Sequence, residues 1–153
     1  MKTLASMTSG LISSVALTVA HETLRKNVSQ APRMDKLGMQ ALSSSLNQAR
    51  LPVPGEKKLY YATMAGDIAG NAGYYSLVGM NPKYSILTGA ALGLMAGIGA
   101  ITLPNKLGLN EKYSNKTGKT QLLTLGLYVT AGLIAGVVHK LLDKKKPGNS
   151  QAE

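Results

Sequence analysis

The residues best suited to chemistry lie in one apolar, glycine-rich stretch, "MAGDIAGNAGYYSLVG", at positions 64–79. At helical spacing, Asp67, Asn71, Tyr74 and Tyr75 fall along one face of this stretch. An ionisable residue inside a membrane helix costs about 2.5–3.5 kcal/mol on insertion scales, and it usually marks a functional or paired site. The pattern therefore predicts a polar intramembrane site at these four residues.

Two interpretations of Asp67 stay open from sequence alone. Its carboxyl group could make an interhelical hydrogen bond that only fixes helix packing, to a hydroxyl of Ser13, Ser14, Thr124 or Thr130. It could instead contact a substrate, an ion or a cofactor, or carry a proton. The tyrosines are also typical of anchors at the membrane surface, where aromatic rings with a polar end are enriched.

A second set of chemically capable residues is a charged cluster after the first apolar segment: His21, Glu22, Arg25, Arg33 and Asp35. On this sequence, Glu22, Arg33 and Asp35 could close over a pocket that has Asp67 at its floor. The alternative is a collar of charged side chains that reach the lipid headgroups. Glu22 and Lys26 stand at i, i+4, the favourable order for a helical ion pair.

The sequence favours neither a metal site nor a bound cofactor. It contains no cysteine and only two histidines, His21 and His139. In a bundle of four spans these histidines fall at opposite membrane faces and cannot share a metal ion. No constellation of nucleophile, base and orienting group stands out, so no catalytic residue is assigned.

Four apolar segments are each close to the roughly 20 residues that cross a bilayer as a helix. The expected fold is all-α, a single integral membrane domain over residues 1–142 with a polar tail at 143–153. The connector after the first span has helical apolar spacing and predicts an amphipathic interfacial helix at about 34–49. The predicted spans are residues 4–20, 59–80, 84–104 and 121–142.

The first segment also has the features of a secretory signal peptide. It has a short basic start and an apolar middle, and Thr18 and Ala20 form an acceptable cleavage site. Its apolar middle is diluted by Ser and Gly, which favours a retained span.

Small residues recur every four positions in all four segments, a pattern that allows close helix packing in lipid. The chain has 17 glycines and neither Phe nor Trp, which suits close-packed membrane helices better than a soluble core. A homo-oligomer or a larger membrane complex is also expected, because four short helices offer several such stripes. The glycines expected to pack helices are Gly66, Gly70, Gly89, Gly93, Gly97, Gly132 and Gly136.

The distribution of basic residues predicts the orientation. The connector 21–58 and the loop 105–120 hold seven and four Lys or Arg, against six on the other face. The excess places connector and loop in the cytoplasm. Although the net charge is +10, the basic residues are dispersed between apolar runs, so nucleic acid is not an expected partner. Anionic lipid is an expected partner of Lys144, Lys145 and Lys146.

The strings "APRMDKLGMQAL" and "AGDIAGNAGYYSLVG" resemble small bacterial membrane proteins, without pointing to a named family. The resemblance implies a compact, single-domain protein of the bacterial inner membrane, and it carries no active site.

The leading functional expectation is a non-enzymatic scaffold or accessory subunit, or a homo-oligomer. The first alternative is a small channel or transporter, which requires a water-accessible cavity that reaches Asp67. The second is an intramembrane enzyme for a lipid or another apolar substrate. This enzyme requires Glu22, Arg33, Asp35 and Asp67 to converge on one cavity with His21 nearby.

Overall fold

The computed structural model describes residues 2–144, and within this range the chain is helical and contains no strand. The all-α prediction is therefore confirmed. Two short 3-10 turns, Leu77–Met80 and Pro82–Tyr84, separate the third and fourth helices. The α-helices are α1 (Lys2–Asn27), α2 (Met34–Gln48), α3 (Glu56–Ser76), α4 (Ser85–Lys106), α5 (Lys112–Asn115) and α6 (Gly118–Lys144).

Three stretches of the described chain are long and apolar enough to cross a membrane: residues 3–27, 82–106 and 118–144. They correspond to three of the four predicted spans. The helix that carries Asp67, α3, is not among the three. Its first turn holds Glu56, Lys57 and Lys58, and its centre holds Asp67 and Asn71, which lower its mean hydropathy.

The boundaries differ from the predicted ones where polar residues continue a helix. The first helix extends beyond the predicted end at residue 20 to Asn27, since the charged residues there pair along the helix rather than breaking it. The last helix continues through Asp143 and Lys144, the first residues of the predicted polar tail. Lys145 and Lys146 lie outside the described residues.

Helices α4 and α6 pack through glycines with their backbones in direct contact. A Cβ added at Gly89 would meet the carbonyl oxygen of Gly132, and one at Gly93 would lie 2.5 Å from the carbonyl oxygen of Tyr128. The hydroxyl of Ser85 donates to the carbonyl oxygen of Gly136 at 3.0 Å. Gly97 also faces α6, at the backbone and side chain of Leu125. Small residues every four positions thus bring the two helices together, as expected in lipid.

Helix α1 packs on both α3 and α6, and two of its serines donate hydrogen bonds to the backbones of these helices. Ser13 donates to the carbonyl oxygen of Ala131 at 2.6 Å, and Ser14 donates to that of Ile68 at 2.7 Å. Both serines are fully buried. These two serines of the first apolar segment are therefore hydrogen-bonded inside the bundle.

The consecutive helices α3 and α4 make almost no direct backbone contact, although only two short turns connect them. The two helices therefore do not pack against each other as neighbours in a hairpin would. One hydrogen bond crosses the gap near the connecting turns, where the hydroxyl of Tyr74 donates to the carbonyl oxygen of Leu92 at 2.9 Å. Beyond this bond the two helices are separated by open space.

The helix α2 lies where the connector was predicted to be amphipathic, and it packs on α3. Gly38 makes the closest approach, since a Cβ there would lie 2.5 Å from Cγ2 of Thr63 and 3.5 Å from a carboxyl oxygen of Asp67. Leu37 is buried beside it.

Two of the glycines predicted to pack helices contact no other helix among residues 2–144. A Cβ added at Gly66 or Gly70 would meet no atom within 4 Å. Both residues are exposed on the outer face of α3. Spacing alone does not distinguish a small-residue stripe that faces a helix from one that faces outward.

We predict that Gly132→Ala destabilises the protein and Gly126→Ala does not. The added methyl group at position 132 meets the backbone of Gly89, while Gly126, on the same helix, has no atom within 4 Å of a Cβ. Overpacking of this kind costs about 1–3 kcal/mol, whereas Gly→Ala in an open helical position is neutral or stabilising. Thermal unfolding in detergent measures both variants, and equal melting temperatures would contradict the glycine contact.

Candidate functional site

A cavity of about 530 Å³ lies between α3 and α4. Helix α1 and Tyr128 of α6 line it, α2 borders it through Leu37 and Gly38, and α4 supplies an apolar wall. We call it the α3–α4 cavity. Its ionisable and polar lining residues are His21, Glu22, Arg25, Asp35, Asp67, Asn71 and Tyr74, with Thr18 and Tyr128.

The α3–α4 cavity opens on the outer surface of the bundle. Met95 and Leu103 of α4 line it, and their side chains are exposed. Its volume is within the range of small-molecule sites, which are mostly apolar with a few placed polar groups.

Asp67 lines this cavity without a hydrogen bond or ion pair to any residue between 2 and 144. Three of the four hydroxyl partners that would make it a packing residue are engaged elsewhere, and the fourth, Thr130, is exposed on α6 without a bond to Asp67. Ser13 and Ser14 bond carbonyl oxygens of α6 and α3, and Thr124 donates to those of Ser114 and Thr120, at 3.0 and 2.8 Å. The packing interpretation of Asp67 therefore has no support in the described part of the chain.

Asn71, one turn further along α3, also lacks a hydrogen-bond partner among the described residues. Its amide lines the α3–α4 cavity and makes no hydrogen bond within residues 2–144. A buried or half-buried polar group without a partner costs free energy comparable to a lost hydrogen bond. Two such groups on one helix face point to a solvated or ligand-filled space.

His21 is the third unpartnered polar group of the α3–α4 cavity. Its side chain is only 9% exposed, and its Nε2 atom is buried with no hydrogen-bond partner in the described residues. The imidazole packs edge-on against the ring of Tyr128, with centroids 5.7 Å apart. The histidine is thus held in place by packing, and its buried Nε2 atom has no partner among the described residues.

The other charged residues of the predicted cluster form two ion pairs. Arg25 donates to both carboxyl oxygens of Glu22, at 2.7 and 2.5 Å, so Glu22 does not pair with Lys26 as expected. Arg33 donates to both carboxyl oxygens of Asp35, at 2.9 and 2.7 Å. Arg33 does not line the α3–α4 cavity but lies on its outer side.

The Arg33–Asp35 pair is tight enough to overcome burial. Burial by itself raises the pKa of Asp35, but the hydrogen bonds and positive charge of Arg33 outweigh it, and the pKa lies below its usual value. The same hydrogen bonds raise the pKa of Arg33. Both groups are therefore charged at neutral pH.

Of the two tyrosines predicted beside Asp67, only Tyr74 lines the α3–α4 cavity. Tyr75 is fully buried and donates to the carbonyl oxygen of Tyr128 at 2.9 Å, which joins α3 to α6. Adjacent helical positions differ by about 100°, so the two rings point to different neighbours.

The apolar wall of the α3–α4 cavity could not be predicted from the sequence, since Met95, Ala96 and Leu103 look like ordinary span residues. Gly38 was the available signal, because a glycine on the apolar face of α2 indicates close approach of another helix. The sequence assigns no role to His139. It is fully buried, and neither ring nitrogen has a partner within residues 2–144. No group of three potential metal ligands occurs among those residues.

Comparison of the chain with models of protein families, with curated proteins and with solved structures finds no match. The class is therefore defined by the structure: an all-α protein with three apolar helices of membrane-spanning length.

We predict that the Arg33–Asp35 pair makes stability depend on acid pH. Because the pKa of Asp35 is lower in the folded protein than its ordinary value of 3.8, the pair stabilises above that value. The contribution is lost as the pH falls through the folded pKa. The free energy of unfolding, measured over a series of acid pH values, should therefore fall less steeply in Asp35→Asn and in Arg33→Gln. An unchanged slope in both variants would contradict this assignment.

Proposed function

We propose that this protein is a non-enzymatic integral membrane protein that acts as an accessory subunit. It binds a single-chain amphiphile in the α3–α4 cavity. The observation that carries the proposal is the combination of an apolar, laterally open cavity with polar groups that have no partner. Asp67, Asn71 and His21 supply those groups.

The apolar half of such a molecule fits the α4 wall. Met95, Ala96 and Leu103 offer an apolar surface that continues to the exposed side of the bundle. An acyl or alkyl chain that lies there would replace contacts with lipid tails. Because the alkyl chain is surrounded by lipid tails before it binds, it gains little free energy on entering the cavity. The polar end must therefore supply specificity.

The polar half fits the α3 side. Unsatisfied groups in an apolar surrounding are costly, and a ligand that pairs with them recovers this free energy. The unpartnered groups all border one space, so a single headgroup can reach more than one of them.

This proposal includes α3 as a fourth membrane span. Helix α3 runs beside α1 along its length, and Ser14 of α1 donates to the carbonyl oxygen of Ile68 of α3. If α3 spans, its charged first turn lies at the membrane surface and Asp67 lies inside. The cavity then shields Asp67 from lipid tails, which explains how a helix of modest hydropathy can be accommodated.

The test uses purified protein in lipid nanodiscs with a fluorescent single-chain amphiphile as the probe. Met64→Trp fills the α3–α4 cavity from the α3 side, and Asn71→Leu removes one of its polar groups. We expect each change to weaken probe binding by about tenfold or more. Ala65→Trp is the matched control, since Ala65 is the next residue on α3, is exposed and is not part of the lining.

Unchanged binding in Met64→Trp would place the probe elsewhere and contradict the proposal. Chemical conversion of the probe by the original protein would favour the intramembrane enzyme, in which His21 is the available base. Movement of the probe across the membrane would favour the transporter.

The orientation proposal places the connector 21–58 and the loop 105–120 in the cytoplasm of a bacterial cell. Because the chain has no cysteine, a single cysteine introduced at an exposed position is the protein's one thiol. Its labelling therefore tests the orientation without background from native thiols. With a membrane-impermeant thiol reagent applied from outside, Lys83→Cys should be labelled, and Asn47→Cys and Lys116→Cys should react only after lysis. The opposite result would invert the topology.

A homo-oligomer remains a proposal. The exposed stripe of Ala62, Gly66 and Gly70 on α3 is the surface that supports it, because no atom of the described residues lies within 4 Å of a Cβ added at either glycine. Native mass spectrometry of the same nanodisc sample gives the stoichiometry, and a monomer would remove this part.

A further inference from the structure

We infer that the amphiphile bound in the α3–α4 cavity carries a single protonated amine, and that this ammonium group pairs with Asp67. This inference rests on the proposed function and specifies its ligand class. It follows from the charges of the cavity, from the groups that remain unpartnered and from the shape of the surrounding wall.

The charges of the lining are unequal after internal pairing. Glu22 is held by Arg25 through two hydrogen bonds, and Asp35 is held by Arg33 through two more. The two pairs neutralise themselves. Asp67 is then the lining carboxylate that has no cation among residues 2–144.

An unpaired carboxylate in an apolar surrounding is stabilised most by a cation that is brought to it. A hydrogen bond between an ammonium and a carboxylate is roughly twice as strong as one between neutral groups. Part of the desolvation cost of Asp67 is already present in the folded protein, because the residue is half-buried, so the ligand adds only the remaining part on the protein side. An anionic headgroup would instead meet like charge.

Two further groups can complete the coordination of an ammonium. Its remaining N–H groups require acceptors, and Asn71 offers a carbonyl oxygen one turn from Asp67 on the same face. The Nε2 atom of His21 has no partner in the described chain but is buried. It can accept a hydrogen bond from the ammonium once the imidazole turns toward the cavity and the tautomer places the proton on Nδ1. His21 is a polar side chain more than nine-tenths buried, and it lines the same cavity.

The aromatic residues of the cavity also favour a cationic headgroup. Tyr74 and Tyr128 both line the cavity, as Asp67 does. Tyrosine ring faces attract cations, with about 0.5–1 kcal/mol at exposed sites and more where water is excluded. A neutral or anionic headgroup would gain no cation–π attraction from these rings.

The experiment compares three probes with the same alkyl chain: hexadecylamine, hexadecanol and hexadecanoic acid. Each competes with the fluorescent amphiphile for the original protein in neutral-lipid nanodiscs at neutral pH. We expect the amine to compete at about tenfold lower concentration than the alcohol, and the acid to be the weakest. In Asp67→Asn, which keeps the size of the side chain, the amine should lose this advantage while the alcohol competes as before.

The control is Asp143→Asn, which makes the same chemical change on α6 at a residue that does not line the cavity. It should keep the order of the three probes, and this excludes a general effect of net charge on amine partitioning into the nanodisc.

Each outcome decides one of the two proposals. If the alcohol competes as well as the amine, or if the amine keeps its advantage in Asp67→Asn, the ammonium inference is wrong while amphiphile binding stands. If the fluorescent amphiphile itself is not bound, or is bound equally by Met64→Trp, the proposed function fails and the inference fails with it. Asp67→Leu is a second variant: it should lose the amine preference as Asp67→Asn does, provided its melting temperature shows that it folds.

Discussion

Direct backbone contact between α4 and α6 is the constraint on which the rest of the structure depends. Gly89 and Gly132 oppose each other with no room for a Cβ, so α4 is held by α6 rather than by its sequence neighbour α3. Helix α3 is held by α1, through Gly10 and Ser14. The two consecutive helices therefore belong to different packed pairs. The space left between them is the α3–α4 cavity, which exists because both flanking contacts are close.

Several polar side chains of the molecule line that space, because different helices place them around it. The end of α1 brings His21 and the Glu22–Arg25 pair, and the middle of α3 brings Asp67 and Asn71. Internal pairing satisfies most of the charge. Among residues 2–144, one carboxylate, one amide and one imidazole nitrogen of the lining remain unpaired, together with the hydroxyl groups of Thr18 and Tyr128. A membrane protein tolerates such groups where water or a ligand reaches them, and the cavity provides that access.

Local patterns in the sequence predict the helices well, but they do not predict which helix faces which. The amphipathic spacing around Leu37 identifies α2, and four-residue spacing of glycines identifies the α4–α6 contact. The same spacing at Gly66 and Gly70 faces outward, because periodicity does not state what lies opposite. Asp67 stood out from its cost in an apolar helix. The apolar wall opposite it did not, since Met95 and Leu103 acquire their role only when α3 and α4 separate.

The most direct measurement of the central claim is the position of the bound chain. A hexadecylamine analogue with a photoreactive diazirine in its chain is cross-linked to the protein in nanodiscs, and mass spectrometry locates the adducts. We predict adducts concentrated at Met64, Met95 and Leu103, which belong to the apolar lining of the α3–α4 cavity, and we expect unlabelled amine to reduce them. Adducts distributed over the exposed apolar surface, as at Leu87 and Leu141, and unaffected by unlabelled amine would contradict it.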